Sequence, residues 1–457
     1  MEKFYFLRDK VTAKCDNRMI NKTTKALWDS FTFKVSSLEL CEGEPNTFSV
    51  GDSKKPILPE NKEYSISISE KGFCIVGKDY SSLMRGFFVL LMQIQSEIVN
   101  AKKILKLPCI EQTDEYVLKN RMIHICVFPE NDLYYLKKLI RLSALCQYTH
   151  IVIEFWGMLK YDCLKELAWP HAFTKEQVKD VIVEAAELGL KLVPMFNMFG
   201  HATASRLMYG KHVVLDQNPL LEHLFTPDGW AWDITSDNVY DLLTKIRKEL
   251  YELFGNTEFF HIGCDEAYYY TMCDEMRAHL PKFLNRLTND VVNEGHRPMM
   301  WMDMILERSK FPKGYYAFGK DGEADRLLES LDSQTVMVDW QYNIKESPIE
   351  SSVYLKEKDS NKELIIAPWY DAYNYTACID TVKKNNLAGI MLTTWHTLKE
   401  RMPSILGCAI SCGAKTLHWS DKNADMQRTE TATLLRRVSF EGNNYEDSGW
   451  SKNQINI

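Results

Sequence analysis

The sequence THIVIEF over Thr149–Phe155 and the sequence KLVPMF over Lys191–Phe196 are two apolar strands with an amphipathic helix between them. The pair Thr174 and Gln177, three residues apart, forms a capping-box pattern that begins this helix, and Gly189 ends it. Strands that are apolar nearly throughout are typical of a parallel sheet buried on both faces. These residues therefore predict one strand–helix–strand unit of an α/β fold.

The same alternation of strand and helix continues along the chain and gives eight units. The predicted strands are Arg121–Val127, Thr149–Phe155, Lys191–Phe196, Phe259–Cys264, Pro298–Met302, Thr335–Trp340, Leu364–Pro368 and Gly389–Thr394. Eight such units predict a (β/α)8 TIM barrel. The alternative is an open doubly wound sheet, which usually has a glycine-rich phosphate loop after its first strand. The corresponding turn, Phe128–Asp132, contains no glycine, and this disfavours the alternative.

The chain before residue 118 has a different pattern, which predicts a small α/β domain. Tyr64–Ser69 alternates apolar and polar residues, Phe73–Val76 can form a second strand, and Tyr80–Ile94 has apolar positions at helical spacing. We expect three parts: an accessory domain over residues 1–117, the barrel over residues 118–420, and a C-terminal helix (Asp425–Val438) with a tail packed on the barrel over residues 421–457.

The composition limits the class of function. The 457 residues carry 55 Lys and Arg against 62 Asp and Glu, a formal net charge of -7. This balance excludes a nucleic-acid partner bound through bulk positive charge. No membrane partner is expected, because the chain has no apolar run long enough to span a bilayer. The 12 cysteines fall singly, and the first residues lack an apolar signal core, so we expect a reduced, cytoplasmic protein. No oligomeric state is assigned.

Two neighbouring carboxylates follow the fourth predicted strand. The active site of such a barrel lies at the carboxyl ends of its strands, and Asp265 and Glu266 come at that point. Enclosed carboxylates repel each other, so the pKa of one of them should be raised. A carboxylic acid with a raised pKa is what general-acid cleavage of a glycosidic bond requires. The alternative interpretation is that both residues simply cap the following turn.

Tryptophans mark the other strand ends. Trp301 follows the fifth predicted strand, Trp340 ends the sixth, Trp369 follows the seventh and Trp395 ends the eighth. A single tryptophan is more often part of a core. Four at successive strand ends predict an aromatic wall that binds a sugar face, holds an acetyl group and excludes water.

These residues carry a resemblance to a known family. The sequence His261-Ile262-Gly263-Cys264-Asp265-Glu266 resembles the His-x-Gly-x-Asp-Glu signature of the family 20 glycoside hydrolases, the β-N-acetylhexosaminidases. Val193–His201 is similar to the third-strand segment of that family, and Tyr268, Tyr269 and Leu392–Trp395 resemble the hexosaminidase D type.

The resemblance implies an exo-acting, retaining hydrolase of terminal β-linked N-acetylgalactosamine or N-acetylglucosamine. Because Asp265 and Glu266 are neighbours, they cannot easily flank the sugar as the two carboxylates of an ordinary retaining enzyme do. A substrate-assisted route fits better, in which Glu266 protonates the leaving oxygen and the 2-acetamido oxygen attacks to form an oxazoline. Asp265 then orients the acetamide N–H. No cofactor and no metal are expected.

The resemblance also implies further contacts with the sugar. Arg121 is expected to grip sugar hydroxyls, and His201 to hydrogen-bond Glu154 beneath the acid. Either Tyr370 or Tyr373, after the seventh strand, is expected to hold the acetamide oxygen.

The chain departs from the family pattern where acidic residues are usual, and this leaves other functions open. Met195, Asn197, Cys126 and Thr397 stand at such positions. A catalytically silent glycan-binding protein of the same fold is therefore one alternative. A metal hydrolase that uses His261 with the two carboxylates is another, although no second histidine lies at helical spacing.

Overall fold

The computed structural model describes residues 2–15, 17–19, 21–40, 46–50, 58, 62–114, 118–203, 212–397, 401–414 and 424–439. In this part of the chain the N-terminal strands form two sheets beside two helices. The six-stranded sheet has the order β3-β2-β4-β6-β5-β9 and the three-stranded sheet the order β1-β8-β7. The elements are β1 (Phe4–Phe6), β2 (Lys10–Lys14), α1 (Lys22–Phe31), β3 (Ser37–Leu40), β4 (Asn46–Val50), β5 (Tyr64–Ser69), β6 (Gly72–Gly77), α2 (Tyr80–Met92), β7 (Gln95–Val99), β8 (Lys102–Pro108) and β9 (Glu111–Thr113).

A closed barrel of eight parallel strands follows, in simple chain order. Its strands are β10 (Asn120–Cys126), β11 (His150–Glu154), β12 (Lys191–Met195), β13 (Phe259–His261), β14 (Arg297–Trp301), β15 (Val336–Trp340), β16 (Leu364–Ala367) and β17 (Gly389–Thr393). The first and last strands pair, with Asn120 opposite Gly389, and this pairing closes the barrel. The predicted α/β barrel with a small α/β domain before it is thereby confirmed.

Each barrel strand is followed by a helix on the outside. These helices are α3 (Leu133–Leu145), α4 (Lys175–Glu187), α5 (Asp237–Phe254), α6 (Asp274–Asn293), α7 (Ala324–Ser330), α8 (Glu350–Lys358), α9 (Ala372–Asn385) and α10 (Pro403–Ser411). The predicted capping box is confirmed, since the Thr174 side chain accepts from the Gln177 N–H and Gln177 accepts from the Thr174 N–H. A last helix, α11 (Ala424–Arg437), packs against α10, α3 and α1.

The barrel strands are apolar on both faces because each face meets a different core. Ile123 and Ile151 belong to the layer between strands and helices, whereas Met122, Val152 and Met299 belong to a second buried cluster inside the barrel. Side chains alternate along a strand, so neighbouring residues fill the two cores in turn.

Both predicted domain boundaries lie outside the described residues, as do the tail residues 440–457, so the three-part division stays a prediction. Within the described ranges, no helix has both the length and the apolar character needed to span a membrane.

Candidate active site

The fourth barrel strand ends earlier than its sequence predicts. The prediction extends to Cys264, but β13 ends at His261 because the backbone then turns through left-handed conformations. φ is +67° at Gly263, +76° at Cys264 and +49° at Glu266. Such conformations cost a non-glycine residue on the order of 1–3 kcal/mol and gather at functional sites. The turn directs Asp265 and Glu266 toward the carboxyl end of the barrel.

The loop after β12 locks this turn in place. A Cβ on Gly263 would overlap the side chain of Asn197, and a Cβ on Gly200 would overlap the carbonyl oxygen of Asp265. The N–H of Met198 also donates to the Ile262 carbonyl at 2.9 Å. Two loops without regular structure are therefore fitted together at backbone distance.

Asp265 is buried inside this arrangement. Burial raises the pKa of its carboxyl group to about 7, the Glu266 and Glu154 carboxylates add to the rise, and His201 opposes it. Its Oδ1 is buried and has no hydrogen-bond partner among the described residues. At neutral pH this group can change its charge when a ligand binds.

Glu266 is more open, with about a fifth of its side chain exposed, and it is held from three sides. Its Oε2 lies 2.7 Å from His201 Nε2. Its backbone carbonyl accepts from the indole of Trp230 at 2.7 Å, and its N–H donates to Asp303 at 2.9 Å. A carboxyl group that is fixed but reachable from solvent suits a general acid.

His201 is the positive partner of these carboxylates. Burial alone would lower its pKa, but the charges of Asp265, Glu266 and Glu154 outweigh burial and raise the pKa to about 9. The expected hydrogen bond from His201 to Glu154 is not formed, because His201 faces Glu266 instead. The oxygens of Glu154 accept from Asn197 Nδ2 at 2.8 Å and lie 3.0 Å from His124 Nε2.

The four predicted tryptophans lie on one side of the site, and Tyr342 joins them. Trp301 is fully buried inside the barrel with its ring 6.0 Å from that of Trp395. The indole of Trp395 donates to the Tyr342 hydroxyl at 2.7 Å. The Tyr342 ring lies 5.1 Å from Trp340 and 5.2 Å from Trp369. We call these five residues the aromatic wall.

The two tyrosines that the sequence suggested as contacts for the acetamide oxygen have different surroundings. Tyr370 is half-buried, with its ring 4.6 Å from that of Trp369. Tyr373 is 71% exposed in the first turn of α9 and is not part of the aromatic wall, so the geometry argues against its expected contact with the acetamide. Tyr342, two residues beyond the end of β15, lies within the wall instead.

The expected role of Arg121 is also wrong. Arg121 lies at the amino-terminal start of β10, whereas the carboxylates lie at the carboxyl ends of the strands. Its guanidinium is buried and donates to the Leu118 carbonyl at 2.8 Å, the Gln147 carbonyl at 3.1 Å and the Glu63 carboxylate at 3.2 Å. This arginine therefore joins the N-terminal region to the base of the barrel.

Two further residues were missed by the sequence reasoning. Asp303 is buried between the turn that carries Asp265 and Glu266 and the aromatic wall, and its position two residues beyond the end of β14 was the available signal. Trp156 follows β11, lies 5.8 Å from the ring of Phe128 in a stacked arrangement, and borders a cleft of about 370 Å³ together with Glu154 and His201.

Side chains of the types that bind metal ions also lie close together in this site. Donor atoms of His201, Asp265 and Glu266 lie within 4.8 Å of one another. His261, which the metal-hydrolase alternative requires, is not in this group. It is buried with a lowered pKa caused first by burial, and its Nδ1 accepts from the Gly263 N–H at 3.1 Å.

Comparison with known proteins relates this chain to a family. Residues 157–405 match the family model described as glycosyl hydrolase family 20, catalytic domain. A β-hexosaminidase of Porphyromonas gingivalis (strain ATCC BAA-308 / W83) is 24% identical over 57% of this chain and 36% of its own length. Hexosaminidase D of Bos taurus is 24% identical over 38% of this chain and 52% of its own length. The chain thus spans about half or less of these curated relatives.

Solved structures share the fold. A β-N-acetylhexosaminidase from Bacteroides fragilis NCTC 9343 superposes with a TM-score of 0.66 at 17% identity, over 99% of this chain and 96% of that one. A mutant β-hexosaminidase from Streptomyces plicatus, in complex with its product GlcNAc, gives a TM-score of 0.65 at 14% identity, over 99% and 93%. Since the family match covers more than half of the residues, this chain belongs to glycoside hydrolase family 20.

Proposed function

We propose that this chain is a retaining β-N-acetylhexosaminidase that removes terminal β-linked N-acetylhexosamine by substrate-assisted catalysis. The observation that carries the proposal is the pairing of Asp265 and Glu266 on one strained turn, with His201 2.7 Å from Glu266 and the aromatic wall beside them. Two adjacent carboxylates cannot easily reach opposite faces of one anomeric carbon, and this favours a nucleophile that comes from the substrate.

Glu266 and His201 share one proton across their contact and act as a unit. In the first step, the proton passes from Glu266 to the glycosidic oxygen as its bond to the anomeric carbon breaks. The acetamido carbonyl oxygen forms the new bond to that carbon and gives an oxazoline. In the second step, Glu266 takes a proton from water while the water oxygen attacks the same carbon, and the oxazoline opens with net retention of configuration.

Asp265 supports the charge that appears during the first step. Its buried Oδ1, which has no hydrogen-bond partner within the described ranges, supports a role in accepting the acetamide N–H, which becomes more positive as the oxazoline forms. A preorganised carboxylate in a site without water stabilises such charge more strongly than water would. With a pKa of about 7, Asp265 is partly ionised at neutral pH, and an acetamide N–H that donates to it would favour the ionised form.

The aromatic wall gives the acetamido group its place. The Tyr342 hydroxyl is oriented by the indole of Trp395, and this supports Tyr342 as the donor to the acetamide oxygen. The rings of Trp301, Trp340 and Trp369 would surround the methyl group and exclude water that could compete with the acetamide.

The test is hydrolysis of three matched aryl glycosides, the β-N-acetylglucosaminide, the β-N-acetylgalactosaminide and the β-glucoside, which has no acetamido group. We expect release from one or both N-acetyl substrates, with kcat/KM at least about 1000-fold above that of the glucoside. The ratio between the two N-acetyl sugars gives the preference at the 4-hydroxyl. Equal turnover of the glucoside would contradict substrate assistance. Binding of an oxazoline-mimicking thiazoline without any release would favour the silent glycan-binding alternative.

A further inference from the structure

One buried carboxylate connects the turn that carries Asp265 and Glu266, the catalytic turn of the proposed function, to the aromatic wall. Asp303 is 1% exposed and lies two residues beyond the end of β14. Its Oδ2 accepts the backbone N–H of Glu266 at 2.9 Å, and its Oδ1 accepts the indole N–H of Trp340 at 3.0 Å. The side chain therefore spans three consecutive strand ends, those of β13, β14 and β15.

Asp303 is itself fixed in position. Its backbone carbonyl accepts from the Phe318 N–H at 2.7 Å and from the Gly319 N–H at 3.2 Å. The Phe318 ring packs 5.4 Å from Tyr268 and 6.4 Å from Trp340. Because its backbone and its side chain are both hydrogen-bonded, Asp303 can fix the position of one strand end relative to the next.

The hydrogen bond from the Glu266 N–H to Asp303 stabilises the turn at a residue with an unfavourable backbone conformation. Glu266 has φ of +49°, a conformation that local backbone preference opposes. Glu266 is held at two points. Its backbone N–H donates to Asp303, and its carboxyl group contacts His201. Without the first contact the turn can relax, and the acid would move relative to the wall that holds the acetamido group.

We propose that Asp303 is a positioning residue, which holds the backbone of the acid Glu266 and the indole of Trp340 in one fixed relation. This inference rests on the proposed function, because the distance it sets matters only if proton transfer and acetamide attack occur on one substrate. A displacement of about 1 Å at such a site can cost on the order of 100-fold in rate.

A second consequence follows from charge. Burial raises the pKa of Asp303, and repulsion by Asp265 and Glu266 adds to the rise, while the two N–H donors oppose it. Repulsion between two carboxyls is mutual, so Asp303 also disfavours ionisation of Asp265. The other charged or titratable groups facing Asp265 are His201, Glu266, Glu154, Cys264, Tyr268 and Tyr342. The two N–H contacts favour the ionised form of Asp303, and removing that charge should therefore make Asp265 ionise at lower pH.

The test uses Asp303→Asn and Asp303→Ala, with Asp339→Asn as the matched control. An asparagine can accept only one of the two N–H groups, and alanine accepts neither. Asp339 is equally buried on the neighbouring strand β15, but its carboxylate binds Ser351, Ser352 and Gln341 rather than the catalytic turn.

For Asp303→Asn we expect kcat to fall by about 10- to 100-fold while KM changes less than about threefold. The acidic limb of its pH profile should move to lower pH. For Asp339→Asn we expect a lower melting temperature with kcat and the limb unchanged. Wild-type kcat and an unmoved limb in Asp303→Asn would overturn the proposal, as would losses in both variants that follow melting temperature alone.

Amide hydrogen exchange of the peptide containing Glu266 gives a readout independent of turnover. We expect faster exchange of the Glu266 amide in Asp303→Ala than in the wild type and in Asp339→Asn. If the wild type hydrolyses none of the substrates, the proposed function fails, yet faster exchange would still support the anchoring role of Asp303. Unchanged exchange would overturn that role whatever the activity.

Discussion

Four carboxyl groups and one imidazole lie close together at the carboxyl ends of strands β11 to β14. Asp265, Glu266, Glu154 and Asp303 supply negative charge in a largely buried volume, and His201 is the cation that faces the first three. Burial and this crowding raise the pKa of Asp265 and of Asp303, and the surrounding carboxylates raise the pKa of His201. Proton sharing is the physical consequence, and it is what acid catalysis at neutral pH needs.

The charge state of Asp265 should set the acidic limb of the pH profile. Its pKa of about 7 lies above the ordinary value, so below that pH the carboxyl is neutral and no longer stabilises the positive charge that develops on the acetamide nitrogen. We expect kcat/KM to fall about tenfold per pH unit below about pH 7. The check is a pH profile of the wild type beside that of Asp265→Asn, in which residual activity should lose this limb. A flat wild-type profile down to about pH 5 would contradict the assignment.

The sequence predicted the residues that a local motif contains and missed those that only the fold brings together. Asp265, Glu266 and His201 belong to short patterns. Arg121 was assigned to the wrong end of the barrel, because β10 spans seven residues and its start lies about 20 Å from its end. In the sequence Asp303 does not differ from other loop carboxylates, because its two hydrogen bonds form only in the folded chain.

At the scale of elements, the site depends on two loops that approach at backbone distance. Gly200, in the loop after β12, faces the Asp265 carbonyl so closely that a side chain cannot fit. Gly263, in the turn after β13, faces Asn197 in the same way. This contact explains why strand β13 is shorter than its apolar run predicts, since the turn is shaped by the neighbouring loop rather than by its own sequence.

Gly200→Ala should therefore damage catalysis through the backbone. The added methyl group would displace Asp265, so we expect a loss of on the order of 100-fold in kcat together with about 2 kcal/mol of stability. Gly295→Ala is the matched control, because φ there is +92° but no atom lies within 4 Å of the added Cβ. That variant should lose about 1 kcal/mol and keep its kcat. Kinetics and denaturant unfolding distinguish the two, and an active Gly200→Ala enzyme would contradict the interlocked loops.

At the scale of the whole molecule, ionic contacts join the N-terminal region to the base of the barrel. Glu63 accepts from Arg85 at 2.9 Å and from Arg121 at 3.2 Å. Burial raises the pKa of the neighbouring Asp114 to about 7, with repulsion by Glu63 adding to the rise. The Tyr80 hydroxyl donates to the Glu187 carbonyl at 2.6 Å nearby. The base of the barrel thus has a structural role, and the chemistry stays at the opposite end.

Arg121→Ala should lower stability without changing substrate binding. Removing this buried guanidinium costs about 3 kcal/mol, because Glu63 keeps only Arg85 and the Leu118 and Gln147 carbonyls lose their donor. Arg286→Ala, which removes an exposed pair with Asp237, should cost less than about 1 kcal/mol. Thermal unfolding and KM measure the two effects separately. A raised KM at unchanged melting temperature would restore the hydroxyl-binding role first expected for Arg121.

The architecture as a whole was more predictable than its details. The barrel strands are apolar on both faces, and that pattern is visible in the sequence of each strand. Strands β1 to β4 and β7 were not predicted, because short strands such as Phe4–Phe6 gain their stability from distant partners like β8 rather than from a local pattern. The hairpin of β5 and β6 was predicted, since its two strands are joined by a short turn.

Comparing Glu266→Gln with Asp265→Asn measures whether Glu266 delivers the proton and whether Asp265 supports the attacking acetamide. Each variant is assayed on an aryl N-acetylhexosaminide, whose leaving group needs little protonation, and on an N-acetylhexosaminyl disaccharide, whose leaving group needs it fully. We expect Glu266→Gln to lose about 1000-fold on the disaccharide and far less on the aryl substrate, while Asp265→Asn loses similar factors on both. Equal losses for Glu266→Gln on the two substrates, or wild-type turnover of the disaccharide by that variant, would contradict the account.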